Sequence, residues 1–194
     1  TPYLKGVMDA FTDPLVEEIT VMAASQVGKT EGMYNMLGYL IDQDPGPTLM
    51  VLPRESDAKS VSYNRVLPMI EGAGVLRSHI NELSDDITKL EYHLDRMILY
   101  FAGSNSPADL ASRPIRYLFL DEVDKYPRFS GREADPIKLA SERQKTFWNK
   151  KTVKVFNVDF EINKVSEQEK IVVFGALSKG SFIDPPNIVY QNIK

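Results

Sequence analysis

The stretch 23-AASQVGKT-30 decides how the rest of the chain is read. Gly28, Lys29 and Thr30 fill the last three places of the phosphate-loop pattern G-x-x-x-x-G-K-[ST], while Ala23 stands where the first glycine is common. Upstream, "EEITVMAA" (17–24) is a short apolar run ending in small residues, which predicts a buried strand. Downstream, "KTEGMYNMLGYLID" (29–42) carries Met33, Met36, Leu37, Leu40 and Ile41 at helical spacing. Strand, loop and helix in this order are the context that the loop chemistry requires. A helix N-terminus offers unpaired N–H groups and partial positive charge, so it attracts phosphate. On this reading Ala23, Ala24, Ser25, Gln26, Val27 and Gly28 wrap ATP. Lys29 places a point charge on the β- and γ-phosphates, and the Thr30 hydroxyl ligates Mg2+. The first glycine chiefly serves the turn out of the strand, and alanine replaces it where φ is negative. The competing reading is a chance G-K-T at a helix start.

Further along, "DPGP" (44–47) is a turn and "TLMVLP" (48–53) a second buried strand. "ESDAKSVSYNRVLPMIEGAG" (55–74) predicts a helix with Ser56 as N-cap, bent or broken at Pro68. "KLEYHLDRMILYFAG" (89–103) predicts a hairpin turning near His93–Arg96. "IRYLFLDEVDKYP" (115–127) is a third strand ending in acids. "DPIKLASERQKTF" (135–147) predicts a helix with Asp135 at its N-cap and Pro136 at N1, and "KTVKV" (151–155) a further strand. Strands alternating with helices imply a mostly parallel sheet covered on both faces. In open α/β sheets ligands bind at the C-terminal ends of strands. Asp121 and Glu122 fall at such an end, Asp121 as a Mg2+ ligand and Glu122 as the group that orients the attacking water. Alone, they read equally well as an acidic strand end in solvent. With the loop, they point to hydrolysis rather than to nucleotide holding.

The chain of 194 residues suits one α/β domain, or a domain with an appendage. It is 43% hydrophobic and 26% charged, as globular proteins are. Without cysteine it has no disulfide framework, and two histidines, His79 and His93, are too few for a histidine-rich metal centre. The net charge of −4 lends no support to a broad DNA-gripping face, although it leaves room for a local basic patch. No apolar run reaches the roughly 20 residues that cross a membrane, and the first residues lack a signal-peptide pattern. The expectation is a cytoplasmic protein without membrane partners.

Four segments, taken together, resemble the large terminase subunit of lambda-like tailed phages. They are "VMAASQVGKTEGM" (21–33), "VLPRESDAKSVSYNRVLPMIE" (51–71), "FAGSNSPADLASRPIRYLFLDEVDKYP" (101–127) and "ADPIKLASERQKTF" (134–147). The resemblance runs over residues 2 to 155 and implies a P-loop NTPase fold of the RecA-like type, a three-layer sandwich around a mostly parallel sheet. It implies an ATP-hydrolysing motor domain that drives double-stranded DNA into a procapsid in the cytoplasm of an infected bacterium. The implied partners are that DNA, the small terminase subunit and the portal ring, with the motor itself assembling as a homo-oligomeric ring. Lys29, Thr30, Asp121 and Glu122 match the family's ATPase motifs. "PYLKGVMDAF" (2–11) resembles its adenine-side segment, which makes Tyr3 a candidate base-stacking residue, with Leu4 where glutamine is frequent. A ring neighbour supplies an arginine to the transition state in such motors. Arg113, Arg116 and Arg143 are candidates, beside the alternative that each is a surface or ion-paired arginine. Arg54 and Lys59 are candidates for the DNA backbone.

The tail departs from the pattern. The family's strand is followed by a Ser/Thr-rich coupling motif that senses the γ-phosphate, whereas here "FNVDFEIN" follows Val155. Its alternation predicts a half-buried strand forming a hairpin with "EKIVVFGAL" (169–177). We therefore divide the chain into an ATPase domain, 1–155, and a tail, 156–194. The tail is an edge hairpin of the ATPase sheet, the product of a truncated or interrupted chain, or the opening of a nuclease domain with Asp159 as its first metal-binding acid. One hairpin cannot assemble a site of several carboxylates, so this chain alone is not expected to cut DNA. Two rivals stand beside the motor: a helicase- or repair-type ATPase, and a degenerate module that binds nucleotide or docks partners without turnover.

Overall fold

The computed structural model describes residues 4–24, 26–81, 86–129, 135–157, 170–178, 181–182 and 189–193. Five strands run parallel: β1 (Glu18–Ala23), β2 (Thr48–Leu52), β4 (Ile98–Gly103), β5 (Tyr117–Leu120) and β6 (Lys151–Asn157). β3 (Glu91–His93) is antiparallel to β4 at one side, and β7 (Lys170–Ser178) is antiparallel to β1 at the other. The order is β3-β4-β2-β5-β6-β1-β7-β8, where β8 is Ser181–Phe182, and β9 (Val189–Ile193) also pairs with β7. Every residue of β2 and β5 is buried, as in strands covered on both faces.

One core packs Ile19, Val21, Met50, Phe119, Val153 and Val155 of the sheet against Met33, Leu37, Leu40 and Ile41 of α2 (Lys29–Asp42). Val7 and Phe11 of α1 (Lys5–Thr12) join it, and the Phe11 ring lies 5.8 Å from that of Phe119. The opposite face buries Val51, Leu118 and Leu120 under Leu110 of α6 (Pro107–Ala111) and Ala140 of α7 (Pro136–Glu142). This is the three-layer α/β arrangement. Because β6 lies between β1 and β5, the phosphate loop and the acidic strand end are one strand apart at the same edge of the sheet.

Several local expectations change. The helix from Glu55 comprises α3 (Glu55–Val61), a π-helical turn (Ser62–Val66) and α4 (Leu67–Gly72), followed by the short α5 (Gly74–Arg77). Pro68 lacks an N–H and crowds the carbonyl four residues back, so the irregularity falls in the turn before it. The residue preceding α3 is Arg54, with extended backbone and no side-chain cap, so Ser56 sits in the first turn rather than at the N-cap. Asp135 does cap α7, accepting from the Ile137 amide at 2.7 Å, with Pro136 in the first turn. α7 stops at Glu142 because Gln144 turns inward: it donates to the carbonyls of Arg116 at 3.0 Å and Lys151 at 2.9 Å, and accepts from Thr152 Oγ1 at 2.8 Å. Phe156 and Asn157 prolong β6, residues 158–169 and Asp159 with them lie outside the described residues, and β7 pairs with β1 rather than with β6.

His79 is buried. Its ring nitrogens lie 3.0 Å from Asp95 Oδ1 and 3.1 Å from Asp42 Oδ1, tying the β3–β4 turn to the end of α2. His93 is half-exposed and pairs with Glu91 at 2.7 Å. Among the described residues no helix is long and apolar enough to cross a membrane.

Candidate active site

The loop between β1 and α2 is shaped by its backbone. Among the described residues only Gln26, Gly28 and Glu122 have positive φ, at 59°, 82° and 51°. Gly28 tolerates this without a Cβ, whereas Gln26 and Glu122 adopt a conformation that L side chains rarely take. Such backbone states concentrate at functional sites, where the surroundings hold them in place. Left-handed residues within a tight turn point successive N–H groups inward and form an anion-binding concavity. Ala23 is the last residue of β1, fully buried and paired with Asn157, and its φ is negative. The place of the first loop glycine therefore makes no demand that alanine cannot meet. Ser25 and Tyr3 lie outside the described residues.

Lys29, the first residue of α2, is buried, and its ammonium donates to the Ala24 carbonyl at 3.1 Å. The charged side chain is thus folded back across the mouth of its own loop. Burial pushes its ammonium below the ordinary lysine value, against the attraction of Asp121, Glu122 and Asp124. Thr30 Oγ1 donates to Asp121 Oδ2 at 3.2 Å, joining two residues 91 positions apart. Asp121 is 4% exposed. Burial pushes its carboxyl up to about 6, a rise that the Thr30 hydrogen bond and the Lys29 charge oppose. A carboxylate and a hydroxyl converging in a desolvated position suit a hard cation such as Mg2+, whose presence would favour the ionised acid. The described residues suit phosphate oxygens at the loop and a divalent cation at Thr30 and Asp121.

Glu122 follows at the rim. Its amide donates to Asp121 Oδ1 at 3.0 Å, and its Oε1 accepts from Lys125 Nζ at 2.8 Å and Asn157 Nδ2 at 3.2 Å. Lys125 belongs to the 3-10 turn Val123–Lys125. The Tyr126 hydroxyl donates to the Val51 carbonyl at 2.7 Å and pins the acidic loop to β2. Asn157, Lys125 and Tyr126 are contributors that the motifs do not mark. Asn157 ends β6, and only its register with Ala23 reveals its position.

The arginines lie elsewhere. Arg113 and Arg116 precede β5, at the edge of the sheet opposite to Asp121. Arg116 grips Asp44 through both terminal nitrogens, at 2.8 and 2.9 Å, and Arg113 pairs with Glu91 at 2.9 Å over the Tyr100 ring. Arg143 terminates α7, and its Nε is buried without a hydrogen-bond partner among the described residues. Arg54 and Lys59 stand beyond the C-terminal end of β2, both exposed, with Lys59 paired to Glu55 at 2.5 Å.

Residues 1–169 match the family described as phage terminase large subunit gpA, ATPase domain. The chain belongs to that family. This agrees with the resemblance carried by the loop, by the acidic strand end and by the two segments beside them. No curated protein matches the terminase chain. Among solved structures it is similar to the large terminase ATPase domain of Thermus phage P74-26, at 13% identity and a TM-score of 0.48, covering 77% of this chain and 62% of that one. A point mutant of the same domain gives 15% identity and a TM-score of 0.47, covering 75% of this chain and again 62% of that one. The terminase chain thus spans less than two thirds of the length of those domains.

Proposed function

We propose that the chain hydrolyses ATP with Mg2+ as the motor domain of a phage terminase, and so drives double-stranded DNA into a procapsid. The observation that carries this reading is the Thr30–Asp121 hydrogen bond, which joins the phosphate loop to the acidic strand end. Gly28 and the loop amides cradle the phosphates, with Ala23, Ala24, Ser25, Gln26 and Val27 forming the wall and Tyr3 against the base. Lys29 leaves the Ala24 carbonyl for the β- and γ-phosphate oxygens. Thr30 and Asp121 would hold Mg2+, which would supply positive charge to offset that of the phosphates. Glu122 orients the attacking water and accepts its proton.

The partners we propose are the DNA, the small terminase subunit, the portal ring and further copies of the chain in a ring, within the cytoplasm of the infected host. Arg54 and Lys59 are the proposed contacts to the DNA backbone. Of the three arginines considered for action in trans, Arg113 and Arg116 would first have to leave their carboxylates. Arg143 has no carboxylate partner among the described residues, and it is the first to replace. We assign residues 1–155 to the ATPase unit. Residues 156–194 are proposed as its edge, because β7 pairs with β1 along the strand that feeds the loop. We propose no nuclease activity for this chain.

The test is Mg2+-dependent ATP turnover with and without duplex DNA and portal rings. Turnover that needs Mg2+ and rises with portal supports the motor. Strand separation without portal stimulation would instead favour a helicase-type ATPase. Tight ATP binding with no turnover under any of these conditions would favour a docking module.

A further inference from the structure

We propose that Lys125 is a positioning residue for hydrolysis. It pins one carboxylate oxygen of Glu122 so that the other is presented to the attacking water. The proposal rests on the reading of Glu122 given above. Each polar atom of Glu122 but one is engaged: the amide donates to Asp121 Oδ1 at 3.0 Å, the carbonyl accepts from the Lys125 amide at 2.9 Å, and Oε1 accepts from Lys125 Nζ at 2.8 Å and Asn157 Nδ2 at 3.2 Å. Oε2 has no hydrogen bond among the described residues. A base that accepts a proton from water needs one free oxygen with a fixed direction, and a carboxylate clamped at a single oxygen supplies it.

The backbone explains why a clamp is needed. Glu122 sits at φ 51°, in the left-handed region, and its side chain is 35% exposed. A residue in that state persists only where neighbours over-determine it. Lys125 meets it twice, through the main chain and through the ammonium, within a single 3-10 turn. That turn is itself anchored at both ends, by the Asp121 amide donating to the Val51 carbonyl at 3.1 Å and by the Tyr126 hydroxyl donating to the same carbonyl at 2.7 Å. The Lys125 side chain is 54% exposed, so the ion pair adds little to folding stability. Its energy is small, whereas its effect on direction is large. Asn157 is the second arm. Its amide donates to Asp124 Oδ1 at 2.7 Å, which locks the end of β6 onto the same turn.

The experiment compares wild type with Lys125→Ala, Lys125→Arg and Glu122→Gln, reading kcat, KM and the affinity for a non-hydrolysable ATP analogue. It adds 13C NMR of glutamate carboxyl carbons in the nucleotide-free proteins, with Glu122→Gln assigning the signal. Lys125→Ala is expected to lower kcat on the order of ten-fold or more, since small misplacements of a catalytic group have effects of this size. Analogue affinity should stay within about two-fold. The Glu122 carboxyl signal should move toward that of a free side chain, and Lys125→Arg, which keeps a cationic donor, should recover most of kcat and of the shift. Unchanged or faster turnover in Lys125→Ala, affinity falling in step with kcat, or no recovery by arginine would each overturn the proposal. Full turnover in Glu122→Gln would sink the reading of Glu122 itself, a failure distinct from that of the lysine alone.

Discussion

Replacing Ala23 by glycine would give the loop the residue that is common at its first position, and the structure predicts that this weakens the protein without improving it. Ala23 closes β1 with negative φ, and its side chain is fully buried. Val27 and the partly buried Ala24 pack with it. Removing the methyl group exposes or empties the space of one buried carbon, worth about 0.8 kcal/mol. Glycine within a strand adds about 0.5–1 kcal/mol of backbone entropy to the unfolded side. The two contributions sum to roughly 1.5 kcal/mol of destabilisation. For a domain of this size each kcal/mol lowers Tm by about 2–4 °C, so the expected fall is about 3–6 °C. ATP-analogue affinity should change by less than about three-fold, because left-handed backbone is required at Gln26 and Gly28 and not at Ala23. Thermal unfolding followed by circular dichroism, with analogue titration on the same preparations, measures both. A higher Tm, or affinity tightened about ten-fold, would show that alanine is a defect of the loop and that its observed conformation is not the binding one.

Other perturbations test the frame around the site. A methyl group on Gly103 would stand 2.5 Å from the Glu55 amide nitrogen and 2.9 Å from the Arg54 carbonyl carbon, both backbone atoms. Gly103→Ala should therefore destabilise by about 2–3 kcal/mol, read in denaturant unfolding, and a neutral result would refute the close approach of α3 to β4. Gln144→Leu strips three hydrogen bonds from the Arg116 and Lys151 carbonyls and the Thr152 hydroxyl, and should destabilise by about 2–4 kcal/mol. Thr30→Ala should weaken ATP-analogue affinity in the presence of Mg2+ but leave affinity in EDTA within about two-fold; equal losses in both would refute its assignment to the metal.

The strands and helices were legible where hydrophobic period and end signals agreed. "EEITVMAA" ends within a residue of β1, α2 spans the range that its Met and Leu spacing marks, and Asp135–Pro136 announces α7. The sequence misleads where a long-range contact competes with a local signal. Gln144 has good helix propensity, yet the carbonyls of Arg116, just before β5, and of Lys151 in β6 draw it out of α7. Ser56 is a favourable capping type, yet the chain turns at Arg54 because Gly103 admits the backbone there. The site divides in the same manner. Lys29, Thr30, Asp121 and Glu122 sit in patterns whose spacing reflects a single loop or strand end. Asn157, 35 residues beyond Glu122, becomes a neighbour only through the insertion of β6 between β1 and β5. Lys125 is three residues from Glu122, but nothing in "DEVDKYP" distinguishes a clamping lysine from a solvated one.

The central claim is that this constellation turns over ATP. Steady-state ATPase activity with Mg2+, beside equilibrium ATP binding, should be measured for wild type, Lys29→Ala and Glu122→Gln. The account predicts turnover in the wild type, lost binding in Lys29→Ala, and retained binding with turnover reduced by on the order of a hundred-fold or more in Glu122→Gln. A wild-type chain that binds no ATP, or a Glu122→Gln variant as fast as wild type, would contradict it.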